Sequence, residues 1–153
     1  MSQITFLASS KPFIMPDEIK RHNNCTAYAS EEEAVFFSVQ KLDPLWVKEI
    51  EGLFSMPYLY EVEGIRSPLF LIYLEKYMET GDVLELYSVP NQHALQKYIQ
   101  RMWENPEPIH VNIGSFTYQD IHGSYQLTSK KWTEELSRKK YITDRSVTTF
   151  VKY

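Results

Sequence analysis

Between Gly81 and Pro106 the hydrophobic period of the chain changes once, and that change constrains the fold more than any other feature. The run Val83 to Val89, "VLELYSV", has the residue types and length of a strand. After Pro90, Leu95, Tyr98, Ile99 and Met102 recur at the i, i+3, i+4, i+7 spacing of a helix with one apolar stripe. Asn91 stands where an N-cap is wanted, and "NPEP", Asn105 to Pro108, stops the helix. A strand that hands over to an amphipathic helix within a few residues must bury both apolar surfaces on one core, so helices packed on a sheet are required.

The flanking segments extend this pattern. Ile4 to Ala8 reads as a short strand, and Pro16 to His22 as one or two helical turns with acids at their start. Ala34 to Gln40 alternates as a strand, and Asp43-Pro44 opens a short helix through Trp46 and Ile50. Tyr58 to Glu63 is a strand, Pro68 to Glu79 a helix buried at its start, and Gly81 its C-terminal punctuation. Ile109 to Asp120 alternates and reads as a hairpin with "SYQLT" across His122-Gly123, bulged or split at Gly114. Ser129 caps a helix through Trp132 and Leu136, and Ser146 to Tyr153 is a terminal strand expected inside the sheet, where its edges are protected. The glutamates on one face of the middle strands argue against a fully covered parallel sheet. The expected fold is therefore α+β: one domain over residues 1–153, a single mixed sheet carrying about four helices, and the C-terminal strand inserted in it. A βαβαβ-like middle is the alternative emphasis.

Composition narrows the function classes. With 43% apolar and 24% charged residues the chain has the balance of a soluble globular protein, and "LFLIYL", Leu69 to Leu74, is too short to span a bilayer. The lone Cys25 excludes an internal disulfide and suits a reducing cytoplasm, where the protein is expected. A net charge of −4 with scattered cations disfavours nucleic acid, and the one basic run, Ser137 to Lys140, reads as the solvated end of a helix. Glu18, His22 and Cys25 fall close together, but a solvated helix end explains them better than a metal site, which needs a further distant ligand. No phosphate loop, nucleophile elbow or zinc motif is present, and neither metal nor cofactor is expected.

Two functional readings follow. Aromatics make up 14% of the chain, eleven of them Tyr. Tyrosine offers large contact area at low rotamer cost, so the first reading is a non-catalytic interaction or regulatory module that binds a protein partner through Tyr58, Tyr60, Tyr87, Tyr118 and Tyr125. The second is a binder of, or enzyme on, a small phosphate or carboxylate ligand held at strand–helix junctions. If the strands ending before "SSK", "GIRS" and "PNQH" run parallel and adjacent, Lys11, Arg66, Ser67, Asn91 and His93 converge. Lys11 and Arg66 would then hold the anion, Asn91 would position it, and His93 would supply a hydrogen bond or acid–base chemistry.

Overall fold

A computed structural model describes residues 3–26, 37–65 and 68–153, with the side chains of residues 22 and 24–26 set aside. In chain order the elements are β1 (Ile4–Ser9), α1 (Asp17–Thr26), β2 (Ser38–Lys41), α2 (Pro44–Glu49), β3 (Tyr58–Glu63), α3 (Pro68–Lys76) and β4 (Val83–Val89). A 3₁₀ turn (Gln92–Ala94) then leads into α4 (Leu95–Glu104), followed by β5 (Ile109–Asn112), β6 (Thr117–Asp120), β7 (Gly123–Gln126), α5 (Trp132–Ser137) and β8 (Thr148–Val151). The α+β class and the single mixed sheet hold, with five helices among the described residues rather than about four.

Among the described residues the sheet has eight strands, in the order β2-β3-β1-β4-β8-β5-β6-β7. Every neighbouring pair is antiparallel except β5 with β8. β3 and β4 both run against β1, so β3–α3–β4 is a crossover between two strands of one direction with β1 inserted between them. That unit is a split βαβ, but the βαβαβ pattern stops there, because β5 runs parallel to β8 and therefore against β4. The terminal strand is inserted as expected, with Leu84 opposite Phe150 on one side and Val111 opposite Phe150 on the other.

Both faces of the central strands are covered. Leu7, Leu84, Leu86 and Phe150 lie on one face against Phe70 and Leu74 of α3, Ile19 of α1 and Leu136 of α5. Ile4, Phe6, Tyr87 and Val89 lie on the other, against Ile50 after α2 and Leu95, Ile99 and Met102 of α4. Alternate residues of a strand point to opposite faces, so a strand apolar at nearly every position requires such double cover. The outer strands differ. In β5, Ile109 and Val111 are buried while His110 is exposed, so the far face of this flank meets water.

The glutamate in the middle of β4 is not on a wet face. Glu85 is 7% exposed, and its Oε1 accepts the backbone N–H groups of Ser55 (2.9 Å) and Met56 (2.7 Å). It pins the segment that follows α2 to the sheet. Burial pushes its carboxyl above the ordinary range, opposed by the two N–H groups.

Several local expectations are met in detail. Asp43 Oδ1 accepts the Leu45 N–H with Pro44 in the first turn of α2, and Asn91 Oδ1 accepts the His93 N–H at 3.0 Å. The hairpin is split at Gly114, where an added Cβ would lie 2.0 Å from the Tyr153 carbonyl oxygen. α5 is not capped by Ser129. Its Glu135 instead reaches back to the Thr128 N–H and hydroxyl, contacts that lower the Glu135 pKa. Of the strand expected over residues 34–40, 38–40 belong to β2 and 34–36 lie outside the described residues.

Candidate functional site

The topology separates the residues expected to converge at strand–helix junctions. Ser9 pairs with Leu84 and Ile4 with Val89, so Lys11 sits by the start of β4 while Asn91 and His93 follow its end. The corrected picture is of two opposite ends of one sheet, because β1 is antiparallel to its neighbours where parallel strands were assumed. Lys11 is committed locally: its ammonium lies 2.9 Å from Asp82 and 3.4 Å from Glu79, and the hydrogen bond to Asp82 raises its pKa. His93 is exposed in the 3₁₀ turn that leads into α4. The ends of β3 and β4 do share one end of the sheet, though Arg66 and Ser67 themselves lie outside the described residues.

The tyrosines likewise do not form one surface. Tyr87 is 0% and Tyr118 3% exposed, and Tyr60 is half-buried with its hydroxyl accepting the Phe13 N–H. Tyr58 (42%) and Tyr125 (41%) are exposed, but on β3 and β7, near opposite borders of the sheet. Aromatic richness went mostly into the core: Phe13, Phe37, Phe70 and Tyr73 stack in a chain of ring contacts, and burial lifts the Tyr73 hydroxyl to a pKa of about 12.

A cleft of about 660 Å³ opens at the end of the sheet where β4 and β6 finish and β5 begins. Ile65, Ile109, Ile142 and the buried Tyr118 give it an apolar wall, and Ser88 lies at its polar floor. There the Ser88 and Thr5 hydroxyls share a hydrogen bond of 2.8 Å, and Gln3 Nε2 donates to Ser88 Oγ at 3.4 Å. The segment between α5 and β8 forms the opposite wall. It is fixed by the Tyr87 hydroxyl donating to the Asp144 carbonyl (2.8 Å), the Ser88 N–H to the Thr143 carbonyl (3.4 Å), and the Glu107 N–H to Ser146 Oγ (2.7 Å). Tyr87 is therefore a core residue that also holds one wall of the cleft.

Its cations come from one place in the sequence. Lys139, Lys140 and Arg145 all stand on the connection between α5 and β8, Arg145 paired with Glu107 at 3.3 Å. The Lys139 ammonium lies 4.8 Å from the Tyr118 ring centroid and 4.4 Å from that of Tyr125, held by two aromatic faces rather than by a carboxylate. Among the described residues, no carboxylate lies within ion-pair distance of Lys139 or Lys140. Asp120 and Asp144 also line the cleft, and Asp120 Oδ1 accepts the His122 N–H. Comparison with protein-family models, with curated proteins and with solved structures finds no match to this chain.

Sequence patterning did not point to these groups. "SRKK" reads as a solvated helix end, and only the packing of the chain after α5 on the β6–β7 hairpin brings Lys139 over Tyr118 and Tyr125. Elsewhere, Glu18 bonds the Tyr77 hydroxyl and the Lys76 ammonium, the Tyr77 contact contributing most to its lowered pKa. Among the described residues no group of three His, Cys, Asp or Glu is arranged to hold a metal, and no helix is long and apolar enough to cross a membrane.

Proposed function

We propose that the chain is a ligand-binding module that takes a small anionic molecule, a phosphate or carboxylate, in the cleft between the sheet end and the α5–β8 loop. The observation that carries this is the Lys139 ammonium, held over two tyrosine rings at the cleft with no carboxylate partner among the described residues. Lys140 adds positive charge beside it, and Ser88, whose hydroxyl bonds that of the buried Thr5, adds a hydroxyl to the lining. A concave site with an apolar wall and few convergent polar groups is the usual form of a small-ligand pocket. The anionic preference of the junction reading is kept, while Lys11, Asn91 and His93 drop out of its site.

The test is thermal shift in low salt with inorganic phosphate, pyrophosphate and citrate. Binding to the native state raises the midpoint in proportion to RT ln(1 + [L]/Kd). A rise of a few degrees at 10 mM ligand (roughly 1–2 kcal/mol if Kd is about 1 mM), lost in K139A/K140A, supports the assignment. No rise with any of the three anions, or an equal rise in the double variant, overturns it.

A second reading, an interaction module without catalysis, is favoured by a different observation. β7 ends the sheet, and all four of its residues are exposed. Of the five tyrosines, Tyr125 alone belongs to that edge.

A further inference from the structure

The β7 edge has a defined hydrogen-bonding register. The Leu127 N–H donates to the Phe116 carbonyl at 2.7 Å, continuing the β6–β7 pairing of Tyr118 with Tyr125 and Asp120 with Gly123. Antiparallel ladders alternate, so Gly123 and Tyr125 turn their backbone groups toward β6, while Ser124 and Gln126 turn theirs outward. Among the described residues no strand lies beyond them. Natural edge strands are blunted by charge, proline or a bulge, and from Ile121 to Ser129 there is no charged residue and no proline.

The charges that follow this edge in the chain are mostly positive, with Asp120 opposite Gly123 at its start. From Lys130 to Lys140 the chain carries five cations and two acids, in a protein whose net charge is −4. Both acids are engaged at home: Glu134 pairs with Arg138 at 2.6 Å, and Glu135 bonds Thr128. Lys130, Lys131, Lys139 and Lys140 then have no carboxylate within ion-pair distance among the described residues. Lys139 lies over Tyr125 in the middle of the edge strand, and Lys130 and Lys131 follow just past its end.

We propose that β7 accepts an extended acidic segment of a partner protein as an added strand of the sheet, and this rests on the interaction-module reading. The outward N–H and C=O groups of Ser124 and Gln126 would supply the main-chain hydrogen bonds. Alternate side chains of the guest, on the Tyr125 side of the sheet, would lie beside Lys139. Backbone pairing gives affinity in such complexes, and the lysines select acidic side chains at every second position.

The experiment uses the whole chain and a fluorescein-labelled peptide of alternating Glu and Thr, followed by fluorescence anisotropy and by amide exchange of Ser124 and Gln126. Expected are saturable binding that weakens at least tenfold when Lys replaces Glu in the peptide, and slowed exchange at those two amides. Ser124→Pro removes one outward donor at an edge position that tolerates proline, and should weaken binding at least tenfold. A peptide N-methylated at alternate residues keeps the charge and loses the edge bonds, which gives the same test without altering the protein. Equal binding by the N-methylated peptide or by S124P overturns the edge assignment and leaves an interaction module that binds elsewhere. No binding of any peptide at 1 mM overturns the assignment and the interaction-module reading together.

Discussion

Replacing Glu85 separates two roles that one buried carboxylate combines. Its Oε1 takes both the Ser55 and Met56 N–H groups, and all its neighbours along β4 from Leu84 to Val89 are buried. Glu85→Ala removes the acceptor for two backbone donors. At roughly 1–1.5 kcal/mol for each such bond, the loss is about 2–3 kcal/mol. For a domain of this size that corresponds to a midpoint lower by about 5–10 °C. Glu85→Gln keeps an oxygen that accepts both N–H groups and removes only the charge that burial disfavours. Its stability at pH 7 should lie within about 1 kcal/mol of the parent, on the stabilising side.

The pH dependence carries the sign. The folded pKa of Glu85 is raised, so the native state binds this proton more tightly than the unfolded chain does. Its contribution is fully favourable below the unfolded value, near pH 4.3, and is lost as pH rises through the folded value. The stability of Glu85→Gln minus that of the parent should therefore start near zero at about pH 4 and rise to a plateau toward neutrality. Urea denaturation of the three proteins at several pH values measures this directly. A Gln variant as unstable as the Ala variant, or a difference that falls with pH, refutes the account, because the carboxylate would then be stabilised by its site.

Two further predictions concern local geometry. Gly114→Ala drives a methyl group into the Tyr153 carbonyl oxygen and should cost about 1–3 kcal/mol, read as a lowered thermal midpoint, although the residue lies in a surface turn. Asn91→Ala removes the acceptor for the His93 N–H and should cost about 1 kcal/mol by urea denaturation. His93→Ala, at an exposed position, should change stability by less than about 0.5 kcal/mol and leave anion binding unaltered, because the side chain lies outside the cleft.

Much of the architecture was legible because it is local. The strand and helix from Val83 to Glu104 and the Asp43 and Asn91 caps each follow from side-chain period or backbone donors within a few residues. Ser129 does not start α5: the helix begins at Trp132 with Lys131 at its N-cap and no side-chain cap, a choice the local pattern does not rank. The sites fared worse for a physical reason: a site is a set of long-range juxtapositions, and strand direction is not written in side-chain alternation. Reversing β1 against its neighbours leaves every residue of Ile4–Ser9 equally well buried, yet it carries Lys11 to the far end of the sheet from His93.

Burial and exposure divide along the same line. By itself the sequence determined that apolar and aromatic side chains would close a core on a mixed sheet, with a terminal strand drawn inside it. Only the tertiary structure decided which tyrosines that core would consume. Tyr87 and Tyr118 were taken in, and Tyr125 was left at an open edge beneath Lys139. The hydrophobic effect is non-directional and fixes what is buried, whereas strand order and register fix what is left facing what.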